Sequence, residues 1–160
     1  MIKSAKKHSS DDDALPAILT LIRQSFAYMD GRIDPPSSMH RLKLEDIARQ
    51  CERGEVWSIG EPAKACMFLT WKADCVYIGK MAVAEDTRGQ GLARQLVSIA
   101  EERARERGLP RLELETRIEL VDNHRTFAAL GFVKTEETAH PGFDRTTSIT
   151  MSKALADQAK

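Results

Sequence analysis

Residues 79–108 read GKMAVAEDTRGQGLARQLVSIAEERARERG. Met81, Ala82 and Val83 close an apolar run of strand character. Leu92, Leu96, Ile99, Ala100 and Ala104 then recur at helical spacing until Gly108 and Pro110 stop the helix. Between the two periods lies Arg88-Gly89-Gln90-Gly91-Leu92-Ala93, a strand-to-helix turn. The first amides of a helix have no partner inside it, and the helix dipole places partial positive charge there. A phosphate answers both needs. Glycine at 89 and 91 lets phosphate oxygens reach the backbone, Ala93 is small enough for a close approach, and Arg88 offers a charged contact. An isolated glycine-containing helix start would be unremarkable; the strand before it and the long amphipathic helix after it favour a pyrophosphate cradle.

The ligand class narrows by elimination. A dinucleotide fingerprint counted from Gly89 needs glycine where Arg94 stands, and GxxxxGK[ST] is absent. A pattern of Arg/Gln-x-x-Gly-x-Gly/Ala is left, matched by Arg88, Gly91 and Ala93.

Outward from this segment, the chain reads as one 160-residue domain, with residues 1–10 as a polar, mobile tail. Asp11 to Asp13 offer a cap and Pro16 a first turn to a helix carrying Leu15, Ile18, Leu19, Ile22, Phe26 and Met29 on one face. A second helix is predicted from Met39 to Arg53, with Leu44, Ile47, Ala48 and Cys51 aligned. Strands are predicted over 55–59, 65–71 and 75–83, then 111–116, 132–135 and 147–151. A short helix capped by Asp122 or Asn123 runs through Leu130. The order predicts an α/β layer structure: a mixed, mostly antiparallel central sheet flanked by about four helices, with a helical crossover after the third strand.

Formal net charge is zero, which gives no electrostatic reason for a nucleic-acid partner. No apolar run approaches the roughly 20 residues of a membrane span, and MIKSAKKHSS lacks a signal peptide's apolar stretch. Cys51, Cys66 and Cys75 sit singly in apolar segments and read as reduced, packed thiols. A cytoplasmic location without membrane association follows as an expectation. His124 and His140 lack metal-ligand spacing, so no metal is expected.

The chain resembles the GNAT superfamily of N-acyltransferases. Residues 79–108 resemble its strand, coenzyme A turn and helix; RLELET (111–116) its next strand; and DNHRTFAALGF (122–132) its Asn-containing helix and closing Leu-Gly-Phe. The resemblance implies a GNAT fold and an acetyl-CoA-dependent transfer of an acetyl group to a primary amine of a small molecule or peptide. It implies that Ala82 and Val83 lie beside the pantetheine arm, that the backbone of Arg88, Gly89, Gln90, Gly91, Leu92 and Ala93 holds the pyrophosphate, and that Asn123 and Phe127 flank the cofactor. It further implies that an amide near Val83 polarises the thioester. Family members are often dimers, which makes a homodimer admissible.

One departure matters. The family often places a tyrosine four residues before the Gly of Leu-Gly-Phe, where it protonates the leaving thiolate; this chain has Phe127. General acid help is worth ~10² to 10⁴ in rate, whereas orientation supplies effective molarities of ~10⁵ or above. Turnover with another acid is therefore expected. Tyr28, Tyr77 and His124 are candidate acids, and one of Glu113, Glu115 and Glu119 a candidate base. Tyr28, Asp30 and Arg117 are the expected acceptor contacts, Asp30 favouring a cationic amine. A non-catalytic acyl-CoA sensor of the same fold is the alternative, with a nucleotide enzyme third.

Overall fold

A computed structural model describes residues 4–27, 31–35 and 41–155. Tyr28, Met29, Asp30 and Met39, all singled out in the sequence, lie outside these residues. In chain order the elements are β1 (Ala5–Lys7), α1 (Leu15–Ala27), α2 (Leu44–Arg53), β2 (Glu55–Ile59), β3 (Ala65–Trp71), β4 (Val76–Val83), α3 (Leu92–Glu106), β5 (Arg111–Arg117), α4 (Val121–Ala129), β6 (Val133–Thr138) and β7 (Ser148–Ala154). The strands form one sheet of order β1-β2-β3-β4-β5-β7-β6. Among the described residues only β4 and β5 run parallel; every other neighbouring pair is antiparallel. The single parallel pair is the one that α3 connects, as a crossover requires.

Both faces of the sheet are covered. One face packs Val76, Ile78, Leu112 and Leu114 against Leu92, Leu96, Val97, Ala100 and Ala104 of α3. The other packs Val56, Cys66, Phe68 and Ala82 against Leu15, Ile18, Leu19 and Ile22 of α1 and Ile47 of α2. Strand alternation sends successive side chains to opposite faces, so Glu113, Glu115 and Arg117 of β5 lie on the side away from α3. Among the described residues no helix is long and apolar enough to cross a membrane.

Three local expectations need correction. First, residues 5–8 are not a loose tail. Ala5–Lys7 pairs with Trp57–Ile59, and the buried His8 joins Asp12 (Nδ1 to Oδ2, 2.9 Å) to Ser58 (Nε2 to Oγ, 2.6 Å). A hydrogen-bonded histidine anchors a strand that has no apolar pattern of its own. Second, α2 begins at Leu44 rather than Met39, where the Asp46 carboxylate takes the Lys43 amide at 2.9 Å, and Leu44 is 42% exposed while Ile47 is fully buried. Third, the N-cap of α4 is Leu120, without a side-chain cap, so neither Asp122 nor Asn123 caps it.

Two expected outcomes arise here. Gly54 closes α2 against β3, and a Cβ there would lie 2.2 Å from the Leu69 carbonyl oxygen. The Gln50 side-chain amide, 2.7 Å away, can swing aside, but the Leu69 carbonyl belongs to the β3 backbone and cannot. Gly54→Ala should destabilise by about 1–3 kcal/mol in denaturant titration. Asp12 is held from its ordinary 3.8 down to about 2, first by the Ala14 amide and then by His8. A carboxyl depressed on folding stabilises fully above its unfolded value and loses that contribution as pH falls through its folded value. Stability should therefore drop between about pH 4 and 2, and Asp12→Asn should flatten this segment of the pH–stability curve.

Candidate active site

β4 and β5 pair only from Val76↔Leu112 to Ile78↔Leu114. Beyond that register each keeps its outer neighbour: Ala82 and Val83 stay on β3, and Glu115 to Arg117 stay on β7. The cause sits in β4. Cys66 pairs with Ala82 and Phe68 with Gly79, so Met67 alone faces two residues, Lys80 and Met81. This is a β-bulge, which bends the strand and re-aims its backbone. Lys80 adopts φ +49°, the only positive φ outside glycine among the described residues. That conformation costs a side-chain-bearing residue roughly 1–2 kcal/mol. Two strand edges therefore face each other across a wedge, offering backbone groups to an extended ligand as a sheet edge does.

The wedge opens towards the turn singled out in the sequence. A 3₁₀ turn at Glu85–Thr87 leaves β4, tied down by the Thr87 hydroxyl donating to the Ala84 carbonyl at 2.9 Å. Gly89 (φ +83°) and Gly91 (φ +80°) follow, and a Cβ at either would meet nothing within 4 Å. Protein packing does not fill the space that these glycines leave. Among the described residues the amides of Gly89, Gly91, Leu92, Ala93 and Arg94 donate to no backbone carbonyl; the first bond of α3 is Gln95 N–H to Gly91 at 3.0 Å. The cradle is thus made of unpaired helix-start amides. Arg88 and Gln90 are exposed beside it, Ala93 is half-buried, and the Leu92 side chain anchors the turn in the core. A groove of about 840 Å³ runs between α1 and the same connection, past Thr20, Gln24, Val83, Asp86 and Arg88; Gly89 to Ala93 are not among its walls.

The expected flanking residues come from α4. Asn123 is exposed on its first turn. Phe127 is half-buried and packs edge-on against Phe132, ring centres 5.8 Å apart and planes at 70°. Its position is that of a packed aromatic with no proton to give.

The acid–base candidates separate clearly. Tyr77 lies beside Glu113 in the paired part of β4; burial, followed by the charges of Glu115 and Glu113, pushes its phenol up to about 12. It is a protonated donor at neutral pH. Glu113 takes Lys72 at 2.6 Å and Arg111 at 3.3 Å, and the Lys72 bond outweighs burial to hold it below the usual range, so it is committed to structure. Glu115 is exposed in the divergent part of β5. His124 donates from Nε2 to the Arg117 carbonyl at 2.9 Å, a bond that docks α4 on β5 and leaves Nδ1 as its remaining ring nitrogen.

Glu119 sits where three connections meet. Its Oε2 accepts the Asp34 amide at 3.2 Å and lies 3.7 Å from Arg145, while its Oε1 is buried with no partner among the described residues. Arg145 also pairs with Asp34 at 2.9 Å and stacks on Phe143. Arg117 donates to the Pro35 carbonyl at 2.6 Å; burial lowers its affinity for the proton, opposed by the charges of Glu119, Asp34 and Glu115. The loop at 31–35 is thereby strapped over the end of β5 and the β6–β7 connection. The sequence singles out Arg117 and Glu119 as residues and the segments holding Asp34 and Arg145 as specialised, but gives no sign that Asp34 and Arg145 meet across a separation of 111 residues. Sequence reasoning also missed Lys80, whose signal was a cation interrupting the apolar strand VYIGKMAV. Among the described residues no cluster of His, Cys, Asp or Glu has the composition of a metal site.

Residues 32–132 match the family model described as Acetyltransferase (GNAT) family. No curated protein matches the sequence. Among solved structures, the fold is similar to a PaiA N-acetyltransferase from Thermoplasma acidophilum in complex with coenzyme A (TM-score 0.80, 14% identity, 97% of this chain and 100% of that one). It is also similar to the ribosomal-protein-S18-alanine N-acetyltransferase from Escherichia coli (TM-score 0.69, 21% identity, 98% and 97%). A third is a GNAT family acetyltransferase from Elizabethkingia anophelis with acetyl-CoA bound (TM-score 0.65, 18% identity, 95% and 97%).

Proposed function

The chain belongs to the GNAT acetyltransferase family, and from that premise we propose that it transfers an acetyl group from acetyl-CoA to a primary amine. The observation that carries this reading is the β4–β5 wedge opening onto bare glycines and unpaired amides at the start of α3. A diphosphate fits the cradle at Gly89 to Ala93, and a linear amide-bearing arm fits between strand edges at Ala82 and Val83. Two of the similar structures hold coenzyme A or acetyl-CoA by their descriptions, which supports the same ligand here.

The reaction is direct displacement. The neutral amine nitrogen forms a bond to the thioester carbon, the carbon–sulfur bond breaks, and the thiolate leaves. A backbone amide beside Val83 steadies the charge that builds on the carbonyl oxygen. The acceptor's proton passes to a carboxylate, and Glu119 is assigned that role because its buried Oε1 is an acceptor still wanting a donor. The thiolate takes a proton from solvent or from Tyr77; with a reference thiol pKa of ~8.5 it leaves adequately near neutral pH. Glu119→Gln should lower kcat about 100-fold, while stabilisation by acetyl-CoA persists.

Phe127 favours one second reading, an acyl-CoA sensor without turnover. Thermal stabilisation by coenzyme A, acetyl-CoA and NAD, followed by thiol release over a panel of amines and peptides, separates the two. Stabilisation by acetyl-CoA with thiol release establishes the transferase. Stabilisation without release on any amine supports the sensor, and a response to NAD alone overturns both.

A further inference from the structure

We propose that Lys80 binds an anionic group of the acceptor, so that the acceptor is an amine that also carries a carboxylate. The inference rests on the acetyltransferase reading and names its substrate class. Four observations converge on it. Lys80 occupies the bulge at which β4 leaves β5, three residues before Val83, beside which that reading puts the reacting carbonyl. It holds a left-handed backbone conformation that glycine would adopt freely, although Gly79 precedes it directly. Strain retained for a particular side chain points to use of that side chain.

The third observation is location. Lys80 stands with Met81 opposite Met67 at the mouth of the wedge, where β4 parts from β5. Glu115, Arg117 and the strap at Asp34 lie across that wedge, at the end of β5. The fourth is an unmet charge. Lys80 is only partly exposed and, among the described residues, its ammonium has no hydrogen bond or ion pair. Asp46 is already engaged by the Lys43 amide and Arg49. Burial lowers the proton affinity of Lys80, opposed by Asp46. A half-buried cation without a partner is costly, and an anion delivered by the ligand removes that cost. With the acceptor amine at Glu119 Oε1, the site offers a carboxylate for the ammonium end and a lysine for the anionic end.

The test compares matched amines that differ only at the acid: amino acids and β-alanine against their carboxamides, assayed by thiol release from acetyl-CoA with the full chain. The expected result is a kcat/KM preference for acid over amide of at least tenfold in the unaltered protein. It should fall to about one in Lys80→Met and persist in Lys80→Arg. Lys80→Gly is the second variant; it relieves the backbone and removes the charge, so it folds and should also lose the preference. Turnover of acids and amides at equal rates overturns the inference and leaves the acetyltransferase reading standing. So does an acid preference that survives in Lys80→Gly, or accumulation of acetyl on Lys80 itself. Failure to turn over any amine, with acetyl-CoA bound, overturns the acetyltransferase reading and this inference with it.

Discussion

Replacing Arg103 with alanine is expected to destabilise the protein by about 3–5 kcal/mol, a fall in Tm on the order of 10 °C for a chain of this size. Glu55, at the head of β2, is 6% exposed. Its carboxylate takes Arg103 Nε at 2.9 Å, Arg103 Nη2 at its other oxygen, and Trp57 Nε1 at 2.8 Å. Burial alone would push this carboxyl up; the bonds from Arg103 and Trp57 outweigh it and hold the group below its ordinary 4.5. Deleting Arg103 keeps the burial and removes the compensation, which is the expensive way to break a buried pair.

The pH dependence identifies the cause. In the unaltered protein the Glu55 contribution is present above its unfolded pKa and lost as pH falls through the folded value. In Arg103→Ala the folded value moves above the unfolded one, so the sign reverses: protonation now favours the folded state, and the deficit shrinks as the medium becomes acidic. Adding Glu55→Gln removes the uncompensated charge and should recover part of the loss at neutral pH. A loss under about 1 kcal/mol, flat across pH, would show that the pair behaves like an exposed one.

That pair, and the strap at Asp34, show where sequence reasoning stops. The helix stripe Leu92, Leu96, Ala100, Ala104 was readable because one residue per turn suffices to define a face, and these four are buried as the period requires. The turn at 88–93 was readable as a turn because its two left-handed glycines and the helix start are contiguous in the chain. β1 was not, because Ala5-Lys6-Lys7 carries no alternation and is held by pairing with β2 and by His8, whose partner Ser58 is 50 residues away. Asp122 and Asn123 were good cap residues, yet the connection from β5 runs through Leu120 before α4 begins, so the helix starts ahead of both. At the site, Glu119 could be nominated by type. Its orphaned oxygen and its bond from the Asp34 amide depend on how separate loops close over β5.

Gly91→Ala should weaken coenzyme A binding about 100-fold, or about 2.8 kcal/mol at 1.4 kcal/mol per decade, while costing folding only its backbone strain. Gly91 is the N-cap of α3 at φ +80°, ψ +16°. An added Cβ meets no protein atom within 4 Å, so nothing in the fold resists it beyond the left-handed backbone, worth roughly 1–2 kcal/mol. The space it takes is the approach to the amides of Gly91, Leu92 and Ala93, which the proposed diphosphate must reach within hydrogen-bonding distance. Gly108 supplies the control: it lies just past the other end of α3 at φ +72°, also with nothing within 4 Å. Gly108→Ala carries the same kind of strain without touching the cradle and should leave affinity for coenzyme A unchanged by calorimetric titration. Equal loss in both variants would assign the effect to strain in α3. Loss confined to Gly91→Ala assigns it to contact between the ligand and the helix start, and thereby ties the ligand to the α3 N-terminus rather than to the groove along α1.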